Sequence, residues 1–279
     1  MAFTAVQISF LQRLVDERVH SRQAKATARY FSENFSFGRV VGSRVEYTEA
    51  HFTAIERLLV ANQLPVKALS SRATRAEAAE YGGMSEKAFS VAPHANSVAV
   101  KSIGGCSLDS YSLHTPQSAY MVLTVEQAMR VTCERIMVVE NLETFRALQE
   151  YFWIDRKGLA VLAIYRGEKD LPNKNAAEVV RSRPEQIWGF FDFDPAGLAM
   201  GNFLPTDRLE RLLLPNWEWL ERAADTPHGR SLFDRQLNGY GSVLDSATHP
   251  EVVTAWSLMK RLRSAVTQEK MLNAHRLVV

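Results

Sequence analysis

Ile187 to Pro205 reads IWGFFDFDPAGLAMGNFLP. A run of aromatic and aliphatic residues ends in two aspartates, Asp192 and Asp194, which lie two apart, so on an extended chain both carboxylates project to the same side. Like charges a few ångströms apart repel, and each resists leaving water unless a cation or a basic group sits between them. Pro195 then opens a stretch with helical character. The segment therefore reads as a buried strand with an acidic tip, followed by a helix.

The same rhythm extends upstream. RIMVVEN, residues 135–141, is an apolar strand ending in Glu140, and LETFRALQEYF after it is helical. GLAVLAIYRG is a second apolar strand, NKNAAEVVRSRP a helix, and QIWGFFDFD the third strand. Strands that do not alternate with polar residues, separated by helices, predict an α/β domain with a parallel sheet covered on both faces. In such a sheet the C-terminal strand ends share one edge, where ligands bind. Glu140, Asp192 and Asp194 converge there as a set of hard oxygen donors suited to Mg²⁺ or Mn²⁺. No histidine stands at the strand tips, which argues against zinc. Glu143, one helical turn past Glu140, and Glu269 are further candidate ligands for a second ion, with exposed helix carboxylates as the plainer reading of both. Crowding by the aspartates is expected to raise the pKa of Glu140 and suit it to general acid or base work. Plainer roles stay open: Asp194 before Pro195 is an ordinary helix cap, Glu140 and Asn141 are placed to cap the next helix, and Asp192 has arginines to pair with.

The rest of the 279-residue chain frames this domain. With 46% hydrophobic and 23% charged residues it has ample material for a core. Cys106 and Cys133 lack ligand spacing, so neither a disulfide framework nor a thiolate zinc site is expected. The opening residues show no basic segment followed by an apolar run. No window reaches the roughly 18–20 apolar residues of a membrane span. A soluble, cytoplasmic protein with no membrane partner is expected.

Net charge is only +2, but residues 1–75 hold 11 Lys and Arg against 6 Asp and Glu. Ile8, Leu11, Leu14, Val15 and Val19 predict an amphipathic helix over 4–30, which would line Arg18, Arg22 and Lys25, with Arg13 and Arg29, along one face. RVVGSRVEY predicts a hairpin turning at Gly42-Ser43, and TEAHFTAIERLLVANQ a helix capped by Thr48. TRAEAAEYGGMSEKAF reads as two short helices broken at Gly82-Gly83. We therefore expect an N-terminal α+β, winged-helix-like domain over 1–103 for DNA or partner binding, a linker with one connecting strand over 104–130, and the α/β domain over 131–279. The cations of the first helix, and Lys260 and Arg261 in MKRLRSAV, are candidate DNA contacts; a solvated helix face is the alternative. There is no Gly-x-Ser-x-Gly elbow and no Gly-x-x-x-x-Gly-Lys loop.

RIMVVENLETF followed by WGFFDFDPAGL resembles a Toprim domain, in which a glutamate follows the first strand and an Asp-x-Asp the third. The form is similar to topoisomerase VI A subunits and more closely to JetD (MksG), the nuclease subunit of the SMC-like Wadjet (MksBEFG) plasmid-defence systems. The residues that carry the resemblance are Glu140, Asn141, Thr144 and Phe145, then Asp192, Asp194 and Gly197, and finally Gln268-Glu269 in AVTQEKML. It covers about 131–279. Phe191 stands where glycine is typical, and Arg166-Gly167 where a glycine pair is usual. Asn141 in place of glycine separates the chain from primase and type IA topoisomerase Toprims. The resemblance implies a Mg²⁺- or Mn²⁺-dependent DNA endonuclease, a homodimer, acting with an SMC/kleisin-type ATPase complex against plasmid or foreign DNA. Tyr30, Tyr47, Tyr81, Tyr111 and Tyr120 lack an Arg-x-x-Tyr-Tyr context, which favours hydrolysis over a tyrosyl intermediate. A topoisomerase-like transesterase and a non-catalytic DNA-binding subunit with a scaffold Toprim remain the alternatives.

Overall fold

The computed structural model describes residues 3–69, 75–81, 94–168 and 171–276. Two hydrophobic cores form separately, one on each side of a division between Pro93 and His94.

In the first unit, α1 (Ala5–Glu17) starts at a Thr4–Gln7 capping box and buries Ile8, Leu11, Leu14 and Val15. It ends at Arg18, whose backbone is left-handed at φ 44°. The chain continues as β1 (Ser21–Gln23), α2 (Ala26–Phe35), β2 (Arg39–Val41), β3 (Arg44–Glu46) and α3 (Glu49–Ala61). The helix expected over 4–30 is therefore two helices with a strand between them. Its apolar stripe stops at Val15: Val19 is 39% exposed, and His20-Ser21-Arg22-Gln23 supplies nothing to bury on a helical period. The expected hairpin forms around Gly42-Ser43, and β1 joins it in an antiparallel sheet of order β1-β3-β2. Because the helix breaks, the five cations do not share a face. Arg18 pairs with Glu49 and Glu56, Arg22 with Glu17, and Lys25 is the exposed N-cap of α2. A short helix, α4 (Arg75–Ala79), follows. The second helix expected beyond Gly82-Gly83 lies outside the described residues.

The second unit opens with β4 (Ser97–Ile103), then β5 (Ser107–Leu108), β6 (Tyr111–Ser112), β7 (Met121–Thr124), α5 (Val125–Arg130) and β8 (Val131–Thr132). Next come β9 (Arg135–Val139), α6 (Leu142–Arg146), β10 (Val161–Tyr165), α7 (Asn173–Ser182), β11 (Gln186–Phe190), α8 (Pro195–Asn202) and β12 (Leu209–Leu212). Four helices close it: α9 (Trp217–Ala224), α10 (Pro227–Asp245), α11 (Pro250–Leu262) and α12 (Gln268–Met271). Six strands form one sheet of order β12-β11-β9-β10-β4-β7.

Two expectations change here. The sheet is mixed, because β4 runs antiparallel to both β10 and β7, while β9 to β12 are parallel. The boundary falls at 93/94 rather than at 103, and 104–130 is not a linker but part of the second unit. Lys101 disguises β4 in the sequence. It is fully buried, its Nζ donates to the Arg146 carbonyl oxygen at 2.6 Å, and burial lowers its pKa to about 8. A lysine satisfied by the end of α6 breaks an otherwise apolar strand pattern.

From β9 the chain crosses to β10 on one side and then returns to β11 on the other. Right-handed crossovers put α6 on one face of the sheet and α7 and α8 on the opposite face. The crevice between the C-terminal ends of β9 and β11 is thus the switch point where open sheets bind ligands. Val139 and Phe190 are in register, so Glu140 and Phe191 leave the sheet side by side. Gly167 lets β10 turn away: it has φ +106°, and a Cβ would lie 2.5 Å from the Leu171 carbonyl oxygen. No described helix is long and apolar enough to cross a membrane.

The boundary can be tested by truncation. A fragment of residues 94–279 is expected to melt cooperatively, whereas 104–279, lacking β4, is expected to be soluble only as a loose or aggregated species. Equal cooperativity of the two fragments in calorimetry would contradict the central place given to β4.

Candidate functional site

Glu140 and Asp192 face each other across the switch point. The Asp192 backbone N–H donates to Glu140 Oε2 at 3.1 Å, and Glu140 N–H donates to the Phe190 carbonyl oxygen at 3.2 Å. Both residues are half-buried. Asp194 is 4% exposed and has both oxygens engaged, Oδ1 by Gly197 N–H at 2.7 Å and Oδ2 by Gln236 Nε2 at 2.7 Å. It caps α8 with Pro195 in the first turn, the plainer of its two expected roles. Gly197 is required by this turn, because a Cβ there would lie 2.2 Å from the Asp192 carbonyl oxygen.

A third segment completes the site from a distance. Phe193 and Val266 form an antiparallel bridge with both bonds at 2.9 Å, which brings the start of α12 to the strand tips. Gln268, fully buried, donates its backbone N–H to Asp192 Oδ1 at 2.6 Å and its Nε2 to the Phe190 carbonyl oxygen at 3.1 Å. Its Oε1 accepts from Asn141 N–H at 3.1 Å. Tyr151, buried, donates toward Thr144 Oγ1 at 3.1 Å and the Gln268 carbonyl oxygen at 3.2 Å. Asn141 caps α6 through Glu143 and Thr144 N–H and donates its Nδ2 to Glu269 Oε1 at 2.6 Å.

The candidate ligands separate into three groups. Glu140 and Asp192 are together and half-buried; Asp194 is adjacent but committed to its cap; Glu143 and Glu269 are exposed, with Glu269 held at the rim by Asn141. Lys260 and Arg261 are not drawn to these acids. Lys260 pairs with Asp245 at 2.8 Å and lies over the Trp256 ring, and Arg261 pairs with Glu221. The structure adds three residues to the site: Gln268, which the sequence marks only as half of a resembling motif, Gln236, which carries no signal on its long helix, and Arg166. The Arg166 Nη2 is 4.0 Å from Glu140 Oε1.

Electrostatics follow from this geometry. Burial raises the pKa of Glu140, opposed by the Asp192 N–H bond and Arg166 and reinforced by Asp194 and Glu269. Crowding is therefore the lesser cause, contrary to the expectation. Burial likewise pushes Asp192 up to about 7, against the Gln268 N–H bond and together with Glu140, Asp194 and Glu269. Among the described residues no group of three or more His, Cys, Asp or Glu side chains is arranged to hold a metal ion. The donors do fit a Mg²⁺-like ion that keeps most of its waters and takes one or two carboxylates. Glu140 and Asp192 are the two that would serve, and burial, the main cause of their raised pKa values, makes negative charge there costly.

The sign of the pH dependence follows. The metal-free folded state holds a proton on Asp192 that the unfolded chain releases near 3.8, so its contribution is full below about pH 4 and fades as the pH rises to about 7. Asp192→Asn, measured by denaturant unfolding in EDTA, is expected to gain on the order of 2 kcal/mol on the wild type between pH 4 and pH 8. A difference that does not change with pH would contradict this placement.

Residues 95–278 match the model of a family described as Domain of unknown function (DUF7281), and no curated protein matches the sequence. The matched stretch takes in every strand of the six-stranded sheet and every acid of the site. The chain belongs to the DUF7281 family.

Proposed function

We propose that the protein is a divalent-metal-dependent DNA endonuclease of the Toprim type, similar to topoisomerase VI A and JetD subunits. In this reading it works as a homodimer at the nucleoid with an SMC-type ATPase complex. One observation carries the reading: two half-buried carboxylates, Glu140 and Asp192, stand at the switch point of parallel strands with their pKa values raised. Glu140 and Asp192 would hold Mg²⁺ or Mn²⁺, and a bound ion of this kind neutralises charge on a scissile phosphate and lowers the pKa of the attacking water. The chain's own groups orient and balance. Gln268 N–H fixes the Asp192 carboxylate, Asp192 N–H fixes Glu140, and Arg166 offers positive charge to a phosphate oxygen beside Glu140. Asp194 acts through α8, holding the Asp192 backbone in place.

Support for the N-terminal unit as a winged-helix-like DNA binder comes from its hairpin and its three-stranded sheet. With Arg18 neutralised by two glutamates and Arg22 by Glu17, the phosphate contacts pass to Arg13 and Lys25, which line a groove of about 420 Å³. Arg13 and Lys25 have no carboxylate partner among the described residues. A second reading, a non-catalytic DNA-binding subunit, is favoured by the commitment of both Asp194 oxygens.

Cleavage of supercoiled plasmid separates the two. With Mn²⁺ or Mg²⁺ the wild type is expected to nick or linearise the plasmid, and Glu140→Gln or Asp192→Asn to slow this by roughly 100-fold or more without loss of the fold. DNA binding with no cleavage under either ion would favour the scaffold reading. Cleavage by both variants at the wild-type rate would remove the assignment of the site.

A further inference from the structure

A pocket of about 500 Å³ opens on the face of the sheet that carries α7 and α8. Val138 lines it, and Glu140, two residues on along the same extended chain, projects to the same side. Its walls are apolar, with Ala176, Val180, Phe191, Met200 and Leu204 among them. The only charged side chains among the described lining residues are Arg166 and Arg181. Phe203 at the rim is 72% exposed, an aromatic ring left in water beside an apolar cavity. Arg166 joins the pocket to the acid site: its Nη2 is 4.0 Å from Glu140, while its Nε is buried and has no hydrogen-bond partner among the described residues.

These features select a ligand class. The volume lies within the roughly 300–1,000 Å³ of small-molecule sites. Two guanidinium groups, with no carboxylate among the described lining residues, favour an anion, and the guanidinium fork matches phosphate. An apolar bed with one aromatic ring in the wall and another at the rim suits a flat heteroaromatic body, which a base supplies and an alkyl chain does not. Asn173, at the start of α7, brings an amide to the same cavity for the polar edge of such a ring.

We propose that the pocket binds one unpaired nucleotide of a DNA strand, with its base in the cavity and its phosphate on Arg166. The strand would then leave the pocket past Glu140 and Asp192. The inference deepens the endonuclease reading and rests on it for the source of the nucleotide. In chemical terms it adds a subsite that takes an extruded or terminal base beside the cleaved phosphate, so unpaired or flexible DNA is preferred over a stacked duplex.

The test titrates a short single-stranded oligonucleotide carrying 2-aminopurine into the full chain in EDTA, with fluorescence as the readout. Two exposed positions report on the pocket without touching the acids: Ala177→Trp to fill it and Phe203→Ala to remove the ring. Wild type is expected to give a saturable fluorescence change, and each variant, once shown to melt like wild type, to bind roughly 10-fold more weakly. Deoxyadenosine 5′-monophosphate is expected to compete only at far higher concentration. Absence of saturable binding, or unchanged affinity in Ala177→Trp, overturns the proposal. Equal affinity for the mononucleotide also overturns it, assigning the pocket to a free nucleotide. The two readings fail separately. A chain that never cleaves plasmid but binds the oligonucleotide through the pocket loses only the nuclease reading; one that cleaves but ignores both pocket substitutions loses only this subsite.

Discussion

Gln268 is the wedge on which the site depends. One buried side chain and its own N–H bind the ends of two strands and one acid at once: Phe190 on β11, Asn141 after β9, and the Asp192 carboxylate. An amide can do this because it donates and accepts in opposite directions, which no apolar or charged residue of that size does. Removal of the Gln268 side chain would leave the Asn141 N–H without its partner, at about 1–3 kcal/mol, and take from the Phe190 carbonyl one of its two donors. The acids stay close despite their repulsion because backbone hydrogen bonds hold both carboxylates there.

That arrangement places stability and function in opposition. Burial makes charge on Asp192 and Glu140 costly, and the fold answers with hydrogen bonds and a distant arginine rather than with a tight ion pair. A site optimised only for stability would hold a lysine or arginine between the two acids. Here Arg166, the nearest cation among the described residues, sits 4.0 Å from one carboxylate and also lines the neighbouring pocket. The fold alone gains nothing from charge left unbalanced at a strand edge, and the proposed function assigns it to binding a cation.

Much of the second unit was legible because its signals are local. The apolar runs of β9, β10 and β11, the Asp-Pro start of α8 and the acids at the strand tips depend on residues adjacent in the chain. What stayed hidden depends on contacts distant in sequence. The buried Lys101 breaks the pattern of β4 because its partner is the end of α6, and Gln236 meets Asp194 from 42 residues away. The short strands between 104 and 132 are too brief to show a period. In the first unit the stop at Arg18 was missed because cations that look like one helix face continue beyond the last buried valine. The hairpin was readable from its turn alone.

The central claim of the proposed function is that Glu140 and Asp192 bind a divalent cation, which displaces the proton that burial favours on Asp192. Titration calorimetry of Mn²⁺ into the metal-free chain near pH 6.5, in two buffers of different ionisation enthalpy, counts the protons released on binding. The account predicts saturable binding with release of about one proton per ion, both lost in Asp192→Asn. Binding that releases no proton, or no saturable binding at all, would contradict it.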